Sequence, residues 1–239
     1  MIDAHLKRLR QRAPISGAEE KALLKLVAET RRFRPDQTLV RAEQRLDESL
    51  LLIDGWLARA KDRKSGHRQI TELHVSGDFA DLHAFTLKRL DHHIVSLSDG
   101  VVVVVPHERL ERLTVDHPRL ARIYWFLTNV DAAIHRQWAC SLGGSSSPQR
   151  MAHLFCELFV RLEVVGKTRG DAYDFPLTQE ELAMCLGLTP VHVNRTLQEL
   201  RRKELVELEA RIVRIPDFGA LARLAQFNPA YLYHDPVTI

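Results

Sequence analysis

The chain has few cysteines and no long hydrophobic run, and both absences narrow its class. Its three cysteines, Cys140, Cys156 and Cys185, are widely spaced and include no CxxC pair, which argues against a disulfide framework or a zinc knuckle. The apolar run at 101–106 is far shorter than the roughly 18 residues that span a bilayer. The first 16 residues are too charged for a secretory signal. These features predict a cytoplasmic protein with no membrane partner.

Motifs typical of enzymes are also absent from the sequence. The 239 residues contain no GxGxxG, Walker or GxSxG pattern, so we predict that the chain is not an enzyme. A composition of 45% hydrophobic and 27% charged residues is typical of globular proteins. The net charge of +3 is too small to indicate nucleic-acid binding by itself, so the placement of the basic residues has to decide.

The first half of the chain has the pattern of a β-rich domain. A helical stretch at 18–30 precedes strand-like runs at 49–58, 69–75, 93–97 and 101–105. Glycines fall between or at the ends of these runs, with the spacing of a small barrel or sandwich. We predict an α+β fold whose N-terminal domain, residues 1–115, is a jelly-roll-like β-roll.

A helical period then begins, which predicts a long helix at 116–142. Asp116 can cap this helix, and Pro118 suits its first turn. Five apolar residues follow at alternating separations of three and four, the a/d spacing of a coiled coil. The predicted dimer interface is Leu120, Ile123, Leu127, Val130 and Ile134. The alternative is that this seam packs on the chain's own β domain.

A Gly- and Ser-rich segment at 143–147 predicts a hinge, followed by a C-terminal domain at 148–239. Within that domain, Thr178 and Glu181 have the spacing of a capping box at a helix start. Gly187 suits a sharp turn, and Thr189 with Pro190 suits the cap and first position of a second helix. Two helices joined through a short Gly-containing turn predict a helix-turn-helix.

The second helix of this pair has a polar face suited to DNA. Val193, Leu197 and Leu200 follow a core spacing, which leaves Arg and Asn or Gln side chains, able to pair with base edges, on the opposite face. We expect base contacts mainly from the first turns and phosphate contacts from the flanking residues. The alternative is a solvated face of a helical hairpin. The predicted DNA-binding residues are Thr178, Gln179, Thr189, Val191, Asn194, Arg195, Gln198, Arg201 and Arg202.

Nearly the whole chain resembles the Crp/Fnr family of bacterial transcription regulators. The segment LTQEELAMCLGLTPVHVNRTLQEL is similar to the family's DNA-binding motif, and IDGWLARA and HVSGDF resemble its β-roll. The resemblance implies a cyclic-nucleotide-binding-type β-roll, a long dimerisation helix and a winged helix-turn-helix. It also implies a homodimer on double-stranded DNA with a palindromic operator, and contacts to RNA polymerase. In this register Arg195 matches the family's guanine-reading arginine, whereas Val191 replaces a frequent glutamate.

The resemblance fails at the positions that would define an effector. The Gly-Glu and Arg-Ser pairs that hold cyclic AMP in relatives are replaced here by Asp81-Leu82 and His92-His93, which argues against cyclic AMP. Three scattered cysteines argue against the family's iron–sulfur cluster. The candidate effector pocket, with the cofactor unknown, comprises Asp81, His83, Lys88, Arg89, His92 and His93.

We therefore interpret the chain as a homodimeric DNA-binding transcription regulator whose effector is not cyclic AMP, or which has none. Carboxylates and imidazoles in the candidate pocket are competent ligands for zinc or haem iron, and its lysine and arginine suit an anionic effector. The alternative function is a metal, haem or small-molecule sensor that acts mainly through protein partners.

Overall fold

The computed structural model describes residues 1–63 and 66–235, so the last four residues of the predicted C-terminal domain lie outside it. Two sheets face each other in the N-terminal part, with strand orders β1-β7-β3 and β2-β6-β4-β5. Their inner faces share a core that includes Leu52 and Val102 of the first sheet and Leu57 and Ile94 of the second. The strands are β1 Glu29–Phe33, β2 Thr38–Val40, β3 Glu48–Asp54, β4 Leu57–Asp62, β5 Arg68–His74, β6 His93–Ser96 and β7 Gly100–Pro106.

Short helices cover this β-roll. They are α1 Asp3–Arg12, α2 Gly17–Leu24, α3 Ala84–Leu87 and α4 His107–Asp116. Leu6 and Leu9 of α1 and Leu110 of α4 pack in a second core with Leu51 of β3 and Val103 of β7. The β1-β7-β3 sheet is therefore covered on both faces, by the second sheet on one side and by helices on the other.

Two elements predicted in this half have residue ranges that differ from the observed ones. The run at 49–58 is not one strand but a hairpin, because Gly55 turns the chain at a φ of +91°, and a Cβ there would lie 2.5 Å from the carbonyl oxygen of Asp99. The helix predicted at 18–30 ends at Leu24. Residues 29–33 instead form β1, which pairs with β7, because pairing in a sheet overrides weak helix propensity.

The long helix, α5, runs Pro118–Gly144. Asp116 does not cap it, contrary to the prediction: it is the last residue of α4, and His117 occupies the N-cap. Proline disfavours a helical conformation in the residue before it, which places the break at His117. Among the described helices, α5 included, none has the length and hydropathy that a bilayer span requires.

The segment predicted as a hinge, 143–147, is mostly helical. Gly143 and Gly144 continue α5, and only Ser145 and Ser146 separate it from the next helix, α6 Ser147–Val165. Ser146 and Gln149 form a capping box that starts α6 so early. The domain limits 1–115, 116–142 and 148–239 stay predictions.

The C-terminal part is a helical domain with a small sheet, in the strand order β10-β11-β9-β8. Its further helices are α7 Gln179–Leu186, α8 Pro190–Arg202 and α9 Phe218–Ala225, followed by a 3-10 turn at Pro229–Leu232. Its strands are β8 Thr168–Arg169, β9 Ala172–Asp174, β10 Glu207–Glu209 and β11 Ile212–Arg214. The predicted α+β architecture of β-roll, long helix and winged helix-turn-helix is confirmed.

A buried polar network connects these parts, and Glu157 of α6 lies at its centre. The Glu157 carboxylate is fully buried and accepts hydrogen bonds from Trp138 Nε1 of α5, from Arg161 and, at 2.7 Å, from the Tyr231 hydroxyl. Arg161 in turn donates to Asp78 Oδ2 of the roll at 2.7 Å. The network therefore ties α5, α6, the C-terminal turn and the β-roll to one another.

Candidate nucleic-acid interface

The start of α7 is fixed by the predicted capping box. The Thr178 hydroxyl accepts from the Glu181 backbone N–H at 3.2 Å, and the Glu181 carboxylate accepts from the Thr178 N–H at 2.7 Å. Thr178 and Gln179 are both exposed. The first turn of α7 therefore presents exposed polar side chains.

The turn between α7 and α8 consists of residues 187–189. Gly187 has a φ of +61°, which costs a residue with a Cβ about 1–2 kcal/mol. The Thr189 hydroxyl then accepts from the His192 N–H at 3.3 Å and caps α8, with Pro190 at its first position. As predicted, Gly187 makes the turn and Thr189 with Pro190 begins the second helix; α7 ends at Leu186.

Helix α8 divides into a buried and an exposed face. Val193 and Leu200 are fully buried, and Leu197 is partly buried, as predicted. Thr196 is also buried, and it was not predicted: its hydroxyl donates to the His192 carbonyl at 2.8 Å, which satisfies it inside the helix. The exposed residues of the opposite face are Val191, Asn194, Arg195, Gln198, Arg201 and Arg202.

The polar groups on that exposed face differ in how far they are already engaged. Gln198 Nε2 donates to Asn194 Oδ1 at 2.8 Å, so these two side chains form one hydrogen-bonded unit. Arg201 forms an ion pair with Glu209 of β10, and Arg202 donates weakly to the Gln198 carbonyl. Arg195 makes no hydrogen bond or salt bridge with any described residue. Among the described arginines of this face, Arg195 is therefore the least engaged, with only a coulombic interaction with Glu199.

A wing lies beside α8. Strands β10 and β11 are joined by Ala210 and Arg211, both at positive φ, which matches the backbone twist of a tight hairpin. The wing sheet has four strands, because β9 and β8 extend the β10–β11 hairpin. Arg211 is exposed at the tip, whereas Arg214 is paired with Asp171.

The structure places most of the predicted dimer seam of α5 inside the chain, which corrects the sequence prediction. Leu120, Ile123, Val130 and Ile134 are at most 4% exposed within the single chain, and Leu127 is partly buried. The first two pack on the β-roll, and the last two lie in a core that the roll shares with the C-terminal domain. These four residues are covered by their own chain and leave no surface for a second copy, whereas Leu127 keeps part of its surface.

The six candidate effector residues do not line one pocket. Asp81 is fully buried, and Oδ1 of its carboxylate accepts from the Leu50 N–H at 2.6 Å. Burial raises the pKa of Asp81 to about 7. Lys88 and Arg89 are exposed, and His93 Nδ1 accepts from the Ala42 N–H at 3.1 Å. This part of the prediction is wrong because neighbours in sequence point to different faces of a turn and a strand.

Only His83 and His92 come together as predicted, with ring centroids 5.5 Å apart. Burial lowers the pKa of both imidazoles, that of His83 to about 3. His83 Nδ1 lies 3.5 Å from Arg59 Nη2 and 3.9 Å from Asp131 Oδ2. Arg59 and Asp131 were missed, since one is in a strand and the other in a distant helix.

Similarity to known proteins agrees with this geometry. Residues 30–117 match the family model of the cyclic nucleotide-binding domain, and residues 149–224 match that of the Crp-like helix-turn-helix domain. The chain is 26% identical over 206 residues to the transcriptional regulatory protein btr of Bordetella pertussis, covering 86% of this chain and 85% of that one. It is 25% identical over 211 residues to the transcriptional activator protein FnrL of Cereibacter sphaeroides, covering 85% and 83%.

The fold is also that of a solved relative. The structure of FixK2 from Bradyrhizobium japonicum superposes with a TM-score of 0.76 at 22% identity, covering 83% of this chain and 98% of that one. Together, the two matched domains in this order, the relatives and the exposed face of α8 show that the chain belongs to the Crp/Fnr family of DNA-binding transcription regulators.

Proposed function

We propose that two copies of this chain bind a palindromic operator, each placing α8 in the major groove. The observation that carries the proposal is the exposed face of α8, where Arg195 is without a salt bridge to any described residue and lies beside the Asn194–Gln198 pair. Arginine pairs with two acceptors on guanine, and Asn or Gln pairs with adenine. Val191 is 77% exposed, and its side chain suits contact with a thymine methyl group.

The flanking groups supply phosphate contacts in this proposal. Thr178 and Gln179 begin α7, where the partial positive charge of a helix N-terminus favours an anion. Arg201 and Arg202 lie at the other end of α8. Arg201 would exchange its pairing with Glu209 for a phosphate. This exchange lowers its net contribution, because an existing ion pair is lost.

The pairing surface that we propose is the exposed face of α5, opposite the buried seam. Its residues also alternate in steps of three and four, so they form a second a/d stripe. Trp125 is 70% exposed, and small residues toward the C-terminal end allow close approach of two helices. The stripe consists of Arg122, Trp125, Asn129, Ala132, Arg136, Ala139 and Gly143, all exposed. A palindromic operator requires the two α8 helices to lie roughly 34 Å apart, in successive major grooves, and pairing along α5 is the contact that would hold them together.

In this proposal the chain regulates transcription by binding DNA and catalyses no reaction. RNA polymerase is its downstream protein partner. Support for both comes from the relatives, which are transcription regulators and activators. The rival role, sensing through protein partners alone, would leave the exposed polar face of α8 without a ligand.

The test is selection of bound DNA from a random pool with the purified protein, followed by measurements on the selected site. Arg195→Ala should weaken specific binding by about 1–3 kcal/mol and relax the preference at one base pair in each half-site. Arg112→Ala is the matched control, because Arg112 is equally cationic, 71% exposed and located on α4. A selected motif without two-fold symmetry, or equal binding by the two variants, would overturn the proposal.

A further inference from the structure

A cluster of carboxylates and imidazoles lies where β5 meets α5, outside the DNA-binding face. Glu72 and His74 are alternate residues of β5 and so point to the same side of the strand. Asp131 and His135 are one turn apart on α5 and share a helix face. Two elements far apart in sequence therefore bring Glu72, Asp131 and His135 toward one point, with His74 in the lining of the adjoining cavity.

The distances within this cluster suit a single ion. One donor atom from each of Glu72, Asp131 and His135 can be chosen so that all three lie within 4.8 Å of one another. His135 Nε2 is 3.3 Å from Glu72 Oε2. Donors around a tetrahedral zinc ion, each roughly 2.1 Å from the metal, are about 3.4 Å apart. Small movements of these three side chains would bring their donor atoms to coordination distance once Arg59 Nη1 leaves the point between the two carboxylates.

His74 provides an independent indication of a ligand. It is 1% exposed, and its Nε2 has no hydrogen-bond partner among the residues that the structure describes. It lines the same cavity as Glu72 and Asp131. A buried imidazole nitrogen without a partner is costly, and a metal ion in the cavity would satisfy it.

The cluster already attracts a cationic group. Arg59 Nη1 lies 2.6 Å from Glu72 Oε2 and 2.7 Å from Asp131 Oδ2. Its Nε and Nη2 donate to the Ala80 carbonyl oxygen at 3.0 and 2.8 Å. The guanidinium is therefore anchored on one side while one amino group occupies the point at which the carboxylates converge. A metal ion would compete with that amino group.

We propose that Glu72, Asp131 and His135, completed by His74, form a binding site for a divalent transition-metal ion between β5 and α5. Two imidazoles with two carboxylates suit zinc and its neighbours, whereas magnesium and calcium prefer all-oxygen sites. Competition from Arg59 lowers the affinity without removing any ligand. This inference does not depend on the proposed operator binding.

Titration of the metal-free full chain with zinc chloride, followed by calorimetry, tests the site. We expect saturable binding of one zinc ion per chain, and a loss of about tenfold or more in affinity for His135→Ala and Asp131→Asn. His67→Ala is the matched control, because His67 is an exposed histidine outside the cluster. No saturable binding by the folded protein, or equal binding by His135→Ala and His67→Ala, would overturn the proposal.

Two further measurements keep the test decisive if a ligand variant folds poorly. Co²⁺ in place of zinc should give the visible absorption of a tetrahedral site, and His74→Ala should change that spectrum. Arg59→Met should bind zinc more tightly than the unsubstituted chain, because the competing guanidinium is gone. A spectrum insensitive to His74, or weaker zinc binding by folded Arg59→Met, would contradict the proposed ligand set.

Discussion

Glu157 is the position at which a single substitution should most weaken the connection between the two halves of the molecule. Its carboxylate is fully buried and serves three donors, on Trp138, Arg161 and Tyr231. Glu157→Ala leaves the indole N–H and the tyrosine hydroxyl unsatisfied in the core. It also removes one of the two carboxylates that neutralise Arg161, the other being Asp78.

The magnitude follows from these contacts. Removing one partner of a buried charge pair costs about 3–5 kcal/mol, a large share of a typical unfolding free energy of roughly 5–15 kcal/mol. Glu157→Gln keeps an acceptor for Trp138 or Tyr231, and Arg161 retains Asp78 and the Leu73 carbonyl. The glutamine variant should therefore lose only about 1–3 kcal/mol, the cost of an unsatisfied buried polar group.

Urea unfolding followed by far-ultraviolet circular dichroism measures both losses. Glu163→Ala is the matched control, since Glu163 is an exposed glutamate on the same helix, and it should change the unfolding free energy by less than about 0.5 kcal/mol. If Glu157→Ala cost no more than Glu163→Ala, or no more than Glu157→Gln, the network would not carry the stability that its geometry implies.

Three other substitutions probe separate features. Gly187→Ala should cost about 1–2 kcal/mol in thermal unfolding because its φ is +61°; an unchanged melting temperature would contradict this. Burial raises the pKa of Asp81 to about 7, whereas an aspartate in the unfolded chain has a pKa of about 4. Between about pH 4 and about pH 7 the native state therefore binds a proton that the unfolded state has released, and the free energy of unfolding falls as the pH rises. The advantage of Asp81→Asn in urea unfolding should therefore grow between about pH 5 and about pH 8, and a constant difference would refute it. Ala132→Glu, in the proposed pairing stripe, should shift the sedimentation coefficient toward that of the monomer. Leu127→Glu, in the buried seam, should mainly lower the free energy of unfolding.

The helix-turn-helix could be predicted almost to the residue because its signals are local. A capping box at Thr178, a glycine at 187 and a Thr-Pro pair at the start of α8 each depend on nearby backbone geometry, and the structure has all three. The hairpin at Gly55 was missed because the apolar run continues on both sides of the turn.

The pairing face of α5 could not be decided from spacing alone. The helix has two stripes with the same alternation, one beginning at Leu120 and the other at Arg122. The more apolar stripe was the natural choice, but the β-roll and the C-terminal domain cover it. Periodicity identifies an apolar face without identifying what covers it.

The cluster around Arg59 was beyond the reach of sequence reasoning for another reason. Its carboxylates at 72 and 131 are separated in sequence by two strands of the β-roll, by α3 and α4 and by the first half of α5, and no short motif contains both. The histidines at 83, 92 and 93 were chosen because they are close in sequence, yet only two of them meet in space. Long-range pairing between a strand and a helix decides this site.

Strand β5 also has a mechanical consequence. It is an edge strand, hydrogen-bonded to β4 on one side, and one end carries Glu72 and His74 against α5. Near its other end Gln69 donates to the Met184 carbonyl of α7, so from His74 to Gln69 the strand spans roughly 17 Å. An extended strand resists compression along its axis, so a displacement of His74 beside α5 would reach Gln69 and, through its hydrogen bond to Met184, the helix that precedes α8.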